Sequence, residues 1–279
     1  MGEKTLSEEE KKEETAPEQK EEAIPERIPP EKPERIQTPE FMLRTNKDFT
    51  KYLDAADCLL TEASFNVSQE GMLLRAMDPS RVAMIELNIP SSTFDEYTVT
   101  RDGTLTVNIT ELLKVLRRAG SDAKIMLQTD PAKERLNIEI QGKHKSTFNV
   151  PTLEPTIEEV PTPKVQYSTK IKVVADTLAN VIDDVNLVAD FVRITSNKEE
   201  IRFSGSGDMS EATVTLLDYV KGAKEAKVIR AEDLLDYEPP LETAKATYTL
   251  SYLADIVKAG KRIGDIATLE YATDSVCKV

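Results

Sequence analysis

The side chains that most often carry out enzyme chemistry are scarce in this chain of 279 residues. It has a single histidine, His144, and two cysteines, Cys58 and Cys277, far apart in sequence. A structural zinc site needs about four such ligands, and a Ser-His-Asp triad needs a nucleophile motif that this sequence lacks. His144 stands in the polar run QGKHKSTF, which indicates an exposed turn leading into a strand. We therefore expect no metal, no cofactor and no catalytic residue.

Carboxylate and phosphate chemistry are the remaining possibilities. Asp183 and Asp184 form the best carboxylate pair for a hydrolase, but neighbours on a helix point about 100° apart and cannot easily share a substrate. The run from Gly205 to Gly207 lacks a following helix, so it indicates a turn and not a phosphate loop. A hydrolase stays as the weaker alternative, and we expect a protein that is not an enzyme.

Composition limits where the protein works. The chain has 50 Asp and Glu against 36 Lys and Arg, a formal net charge of −14. No stretch approaches the roughly 20 apolar residues of a membrane span, and the N-terminus lacks the apolar segment of a secretory signal. The low cysteine content suits a reducing compartment. We expect a cytoplasmic protein, or a nuclear one in a eukaryote, with no membrane partner.

The sequence divides into four parts. Residues 1–40 are rich in Glu and Pro, which predicts a disordered acidic tail. This tail could regulate partner access or result from an upstream start site. Residues 151–165 contain four prolines, which predicts an extended linker. It would connect two domains, 41–150 and 166–279.

The two predicted domains repeat one α+β plan of short strands and two helices. In the first domain, apolar spacing predicts helices over 46–63 and 108–119. In the second domain it predicts helices over 176–189 and 250–260. The apolar residues of the second helix in each domain match at a constant offset of 141 positions, which indicates an internal duplication. The matched pairs are Ile109 with Leu250, Leu112 with Leu253, and Leu116 with Val257.

One string is specific enough to suggest a family. Residues 75–82 read Arg-Ala-Met-Asp-Pro-Ser-Arg-Val, preceded by Thr-Glu-Ala-Ser-Phe at 61–65 and followed by Leu-Asn-Ile-Pro at 87–90. With Ser-Tyr-Leu at 251–253, this closely resembles the proliferating cell nuclear antigen type of DNA sliding clamp, in its archaeal form. The resemblance covers Phe41 to Val279. It implies a non-catalytic ring of three subunits, with sheets outside and helices lining a hole for duplex DNA.

The resemblance also implies partners. An ATP-driven clamp loader would place the ring on DNA, where it would tether DNA polymerase, flap endonuclease and DNA ligase as a processivity factor. Subunits would join by pairing edge strands, here Lys145 to Val150 with Glu211 to Leu216. The ring could be a homotrimer, or a heterotrimer with paralogues. A clamp-like subunit that works only in such a mixed ring is the third hypothesis.

Two sets of site residues follow from the resemblance. The DNA-facing set is basic: Lys47, Lys51, Lys114, Arg117, Arg118, Lys258, Lys261 and Arg262. The partner-peptide groove is apolar: Met77, Val82, Met84, Val160, Pro163 and Val276. Asp54, Asp57, Asp183 and Asp184 would make the DNA-facing side less positive than in many relatives. The chain stops at Val279, so we expect the second domain to lack the family's final strands, with an exposed sheet edge and an incomplete groove.

Overall fold

The computed structural model of the protein describes residues 38–45, 49–155, 160, 164–220 and 227–279. The predicted acidic tail falls almost wholly outside these residues. Its last residue corrects the expected boundary, because Glu40 pairs with Arg101 and begins the first strand. No helix in the described ranges is long and apolar enough to cross a membrane.

The first half contains two antiparallel sheets and two helices. In chain order its elements are β1 (Glu40–Thr45), α1 (Phe49–Asp57), β2 (Glu62–Ser68), β3 (Gly71–Met77), β4 (Met84–Pro90), a short 3-10 turn (Ser91–Thr93), β5 (Glu96–Arg101), β6 (Gly103–Asn108), α2 (Ile109–Leu116), β7 (Lys124–Asp130), β8 (Arg135–Gln141) and β9 (Lys145–Pro151). One sheet has the order β5-β1-β7-β8-β9 and the other β4-β3-β2-β6.

The second half repeats much of this arrangement. Its elements are β10 (Thr169–Val174), α3 (Ala175–Asn186), β11 (Phe191–Asn197), β12 (Glu200–Ser206), β13 (Glu211–Val220), β14 (Lys227–Arg230), β15 (Leu234–Glu238), β16 (Ala244–Thr249), α4 (Leu250–Gly260) and β17 (Ile266–Tyr271). Its sheets have the orders β14-β13-β12-β11-β16 and β15-β10-β17. The two-domain α+β fold predicted from the sequence is confirmed, and the three paired apolar positions of α2 and α4 are all buried.

Local chemistry fixes the ends of the helices. The Asn108 side chain accepts a hydrogen bond of 2.9 Å from the Glu111 backbone N–H and so caps α2. The first helix is shorter than predicted and ends at Asp57. The N–H groups of Leu59 and Leu60 both donate to the Ala56 carbonyl, and Glu62 already pairs with Asn108 of β6. Leu60 is therefore buried by the turn after the helix and not by the helix itself.

The two halves differ at one sheet edge. β10 and β17 occupy the places that β1 and β7 hold in the first half, but β8 and β9 have no counterpart among the described residues of the second half. The outer edge of β17 instead contacts the last residues of the chain. The N–H of Glu270 donates to the Lys278 carbonyl and the N–H of Lys278 donates to the Glu270 carbonyl, both at 2.8 Å.

The helices form one continuous layer. α1 packs on α2, α3 packs on α4, and α1 also packs on α4, so the order across the layer is α2-α1-α4-α3. The apolar side of each helix is buried against the sheets, as Leu113 and Ile182 illustrate. The opposite side carries the charged residues.

Gly71 offers a test of the first half. Its φ is +148°, and an added Cβ would lie 2.2 Å from the Ile89 carbonyl oxygen and 2.9 Å from the Pro90 Cα. We expect Gly71→Ala to lower the free energy of unfolding in urea by about 2 kcal/mol or more, because backbone must move. Gly120→Ala is the matched control, since nothing lies within 4 Å of the added Cβ. Equal stability of the two variants would contradict this packing.

Candidate functional site

The exposed side of the helix layer gathers most of the predicted DNA-facing residues. Lys51 lies on α1, Lys114 on α2 and Lys258 on α4. Arg117 and Arg118 directly follow α2, and Lys261 and Arg262 directly follow α4. All seven side chains are exposed. Lys47 lies outside the described residues.

Most of these cations form ion pairs with acidic residues of neighbouring helices. Arg117 Nη2 lies 2.6 Å from Asp54 Oδ1, and Arg262 Nη1 lies 4.0 Å from Asp54 Oδ2, so one carboxylate of α1 faces cations from both flanking helices. Lys258 Nζ lies 2.9 Å from Asp183 Oδ1 on α3. These contacts connect the four helices across their exposed side.

Two further pairs involve cations of this layer. Lys261 Nζ lies 3.2 Å from Asp176 Oδ1, and Lys114 Nζ lies 2.6 Å from Glu111 Oε1 one turn earlier on α2. In the part of the chain that the structure describes, no carboxylate lies within 4 Å of Arg118 and no cation within 4 Å of Asp184. Asp184 is thus an unpaired acid on the same layer.

The charges of this layer cancel. The four helices with residues 117–118 and 261–262 carry seven basic and seven acidic side chains. The basic residues are Lys51, Lys114, Arg117, Arg118, Lys258, Lys261 and Arg262, and the acidic ones are Asp54, Asp57, Glu111, Asp176, Asp183, Asp184 and Asp255. The layer is therefore neutral within a chain whose net charge is −14.

The turn between β3 and β4 is built around Asp78. This side chain is 4 % exposed and accepts hydrogen bonds from three backbone N–H groups. Val82 and Ala83 donate to Oδ1 at 2.7 Å, and Ser80 donates to Oδ2 at 3.0 Å. The Tyr252 hydroxyl, from α4 in the other half, donates to Oδ2 at 3.2 Å. The carboxylate thus fixes the turn and joins it to the second half.

These contacts set the pKa of Asp78. Desolvation alone would raise it, but the hydrogen bonds from Ala83, Val82, Ser80 and Tyr252 outweigh that effect and hold the pKa below the ordinary 3.8. Asp78 is therefore ionised near neutral pH. Its negative charge is satisfied by donors and not by a cation, which suits a structural role in shaping the turn.

Three of the six predicted groove residues lie in this turn or at the strand ends beside it. Met77 ends β3, Val82 is 63 % exposed in the turn, and Met84 begins β4. Val276 is 57 % exposed, near the chain end, and Val160 is half-buried. Pro163 lies outside the described residues.

A cavity of about 630 Å³ separates β4 from β17, with α1 and α4 at its base. Of the predicted groove residues it brings in only Met84, which lines it together with Leu87, Ile266, Ala267 and Val279. The cavity occupies the side of β17 on which the first half has β8. Met77, Val82 and Val276 lie outside its lining.

The segments predicted to join subunits both lie at sheet edges. β9 is the outermost strand of its sheet, with β8 on one side only. Within β13, Glu211 to Thr215 pairs with β12, whereas β14 pairs only with Leu217 to Val220, and the Ala231 N–H donates to the Leu216 carbonyl at 2.8 Å. Among the described residues, β9 and the run from Glu211 to Thr215 therefore each present one side without a neighbouring strand.

The residues with catalytic potential do not converge. His144 is exposed in the turn between β8 and β9, and Asp183 is engaged by Lys258. Burial is the main cause that raises the pKa of Cys58 and of Cys277 to about 11 each, so both thiols stay protonated near neutral pH. Among the described residues no three His, Cys, Asp or Glu side chains could hold a metal ion together.

Comparison with known proteins places this architecture. Residues 40–157 match the N-terminal domain of the proliferating cell nuclear antigen (PCNA) family, and residues 161–278 match its C-terminal domain. The chain belongs to the PCNA family. Two similar relatives are both archaeal. The DNA polymerase sliding clamp 1 of Pyrobaculum aerophilum is 34 % identical over 227 residues, covering 81 % of this chain and 86 % of the relative.

The second relative is the DNA polymerase sliding clamp of Pyrococcus furiosus, 33 % identical over 235 residues, covering 84 % of this chain and 89 % of the relative. Among solved structures, PCNA from Thermococcus kodakaraensis matches with a TM-score of 0.73 and 25 % identity, over 84 % of this chain and 91 % of that one. The resemblance drawn from residues 75–82 is thus confirmed for both halves of this PCNA chain.

Sequence reasoning missed the partners of the site residues. It noted Asp54 and Asp183 only as charges that weaken the positive side, whereas each forms a close ion pair with a cation of another helix. It gave Asp78 only as part of the string at 75–82 and did not anticipate its hydrogen bond with Tyr252. The sequence did contain a signal for the ion pairs of Asp54 and Asp183. The helices α1 and α3 carry acidic residues, whereas α2 and α4 carry most of the basic ones.

Acidification tests the role of Asp78. A carboxylate whose pKa is lowered by folding stabilises the fold above its unfolded pKa of about 3.9, and that contribution is lost as pH falls through the folded value. We expect Asp78→Asn to lower the free energy of unfolding at pH 7 by about 1–3 kcal/mol. Its stability should also decline less than the wild type's between about pH 5 and pH 3.

Urea unfolding across this pH range is the measurement. Asp184→Asn is the control, since Asp184 is exposed and has no cation within 4 Å among the described residues. An Asp78→Asn variant as stable as wild type at pH 7, with the same acid dependence, would show that the four donors contribute nothing.

Proposed function

We infer that this protein is a subunit of a DNA sliding clamp, a non-catalytic ring that encircles duplex DNA and holds DNA polymerase there as a processivity factor. The observation that carries this conclusion is the match of both halves to the two PCNA domains. The continuous helix layer supports it, since four helices in a row give one subunit a long surface facing away from the sheets. No cofactor is part of the proposal, and the protein would work in the cytoplasm.

The linker divides the proposed subunit into two domains. We assign residues 40–150 to the N-terminal clamp domain, 151–165 to the interdomain connector and 166–279 to the C-terminal clamp domain. In the ring, the sheets would face outward and the helices inward.

In this ring the exposed cations would meet phosphate groups. The proposed contacts are Lys47, Lys51, Lys114, Arg117, Arg118, Lys258, Lys261 and Arg262. Contacts between Lys or Arg and phosphate do not depend on base sequence, and each adds to the salt dependence of binding. Because most of the described cations are shared with carboxylates, the attraction is weak, and weak attraction lets a ring move along DNA.

The partner groove would bind peptide segments of replication proteins. Met77, Val82, Met84, Val160, Pro163 and Val276 would form its apolar surface, and flexible Met side chains suit several partners. DNA polymerase is the first proposed partner, followed by the clamp loader, flap endonuclease and DNA ligase. Aromatic side chains of these partners would supply the anchors.

Two ring compositions are open, and one observation favours a mixed ring. The helix layer is neutral, so three identical subunits would contribute no net positive lining from the described residues. More basic paralogues would raise the attraction for DNA. Either ring would close through β9 of one subunit and β13 of the next.

Strand pairing gives a direct test of assembly. Thr147 and Thr213 lie exposed near the middle of the two free edges. We expect Thr147→Glu with Thr213→Glu to dissociate the ring, because like charges meet across the new strand pair. Thr147→Lys with Thr213→Glu is the matched control and should keep three chains together. Native mass spectrometry counts the chains, and identical masses for the two double variants would exclude this interface.

The native mass of the wild-type chain, measured in the same experiment, distinguishes a homotrimer from a mixed ring. A mass of three chains supports the homotrimer. A mass of one chain supports a mixed ring, in which case the charge variants are compared in the presence of the paralogues.

Freeing one lining cation tests the DNA contact. Asp183→Asn removes the partner of Lys258, whereas Asp184→Asn removes an equal charge from the next residue without releasing a cation. We expect Asp183→Asn to bind duplex DNA more tightly than Asp184→Asn. Its slope of log affinity against log salt should be steeper by about 0.9 for each lysine that gains a phosphate. Fluorescence anisotropy with a labelled duplex measures both quantities, and equal slopes would contradict the assignment of Lys258.

A further inference from the structure

Two tyrosines at the junction of β16 and α4 donate hydrogen bonds from their hydroxyls, one to the first half and one to the second half. Tyr252, in the first turn of α4, donates to Asp78 Oδ2 at 3.2 Å. Tyr248 lies four residues earlier, in strand β16, and donates to the Ser275 carbonyl at 2.9 Å. Both rings are half-buried, so both hydrogen bonds lie partly shielded from water. The junction of β16 and α4 therefore contacts two separate parts of the chain.

The first contact reaches the turn that displays Val82. Asp78 binds the N–H groups of Val82 and Ala83 at 2.7 Å through Oδ1, and that of Ser80 at 3.0 Å through Oδ2. Arg81, between these residues, has a φ of +57°, a conformation that costs energy for a residue other than glycine. A turn that includes this conformation needs its side-chain anchor, and Tyr252 is the one donor to that anchor that comes from outside the turn among the described contacts.

The second contact reaches the segment that displays Val276. Residues 272–279 follow β17 without belonging to a regular strand. Asp274 N–H donates to the Lys245 carbonyl at 3.0 Å, and Lys278 exchanges two hydrogen bonds with Glu270. Between these two anchors, the Tyr248 hydroxyl fixes Ser275, whose own N–H makes only a long hydrogen bond of 3.3 Å to Ala272.

We propose that Tyr248 and Tyr252 are positioning residues for the partner groove: Tyr252 holds the Val82 side, and Tyr248 holds the Val276 side. The proposal rests on the groove assigned under the proposed function. Neither tyrosine belongs to the groove residues themselves. Each acts through a residue beside an exposed valine, so that one rigid strand–helix junction sets both sides.

The proposal makes a local prediction that needs no partner. In Tyr252→Phe, the Val82 and Ala83 amides should exchange with deuterium several-fold faster, because the carboxylate that accepts them loses a fixed donor. In Tyr248→Phe, the faster exchange should appear at Asp274 and Ser275. The control is Tyr237→Phe, which removes a comparable hydroxyl donating to the Asn197 carbonyl at 2.7 Å and should alter neither group of amides.

A second readout tests the consequence for binding. The probe is the replicative DNA polymerase of the same organism, with its affinity for the full-length chain measured by biolayer interferometry. We expect Tyr248→Phe and Tyr252→Phe each to weaken binding about two- to tenfold, the range that one hydrogen bond supports, and Tyr237→Phe to leave it unchanged. Each Tyr→Phe substitution removes only the hydroxyl and leaves the aromatic side chain packed as before. Circular dichroism verifies that each variant is folded.

The outcomes separate positioning from general stability. Faster local exchange with weaker polymerase binding supports the proposal. Unchanged exchange at the named amides, or an equal loss of binding in Tyr237→Phe, overturns it. Faster exchange with unchanged binding also overturns it, because the groove would then not depend on these sides. If the wild-type chain itself does not bind the polymerase, the proposed groove is wrong. Faster exchange at the named amides would then still show that the two tyrosines hold the turn and the chain end.

Discussion

The packing of α1 against α4 is the contact on which the continuous helix layer depends. Each half already contains its own helix pair and its own buried core. Only the α1–α4 contact joins the pairs into a four-helix layer with one exposed side. Asp54 reinforces it, since this carboxylate faces Arg117 from α2 and Arg262 from the exit of α4. The hydrogen bond from Tyr252 to Asp78 adds a second connection between the halves, at the turn between β3 and β4.

This arrangement resolves how an acidic protein can surround DNA. The chain carries a net charge of −14, yet the helix layer is neutral because its acids and bases alternate across neighbouring helices. At physiological ionic strength, charges act over about 8 Å, so duplex DNA inside a ring would respond chiefly to this layer. Exposed ion pairs contribute little stability, about 0–1 kcal/mol each, and can exchange a carboxylate for a phosphate at small cost. The layer can thus contact DNA without holding it in place.

The sequence predicts the parts of this fold that depend on local patterns. α4 has the predicted bounds, because it has a clear apolar period with a Gly at its end. Five strands were not predicted: β1, β5, β14, β15 and β16. The last four lie at sheet edges, where side chains are less uniformly buried, whereas β1 lies between β5 and β7. The candidate site divides in the same way. The basic faces follow from helical spacing, but Asp54 and Arg117 lie 63 residues apart, and Asp78 and Tyr252 lie 174 apart. Such pairs arise from tertiary packing, which one sequence does not reveal.

The central claim is that this chain encircles DNA, and topology tests it most directly. The chain is incubated with the clamp loader of the same organism, ATP and a nicked circular DNA, and bound protein is separated by gel filtration. Half of the DNA is then cut once with a restriction enzyme. A ring should stay with the closed circle and slide off the ends of the linear form. Equal retention on circular and linear DNA, or no retention on the circle even with paralogous subunits present, would contradict the account.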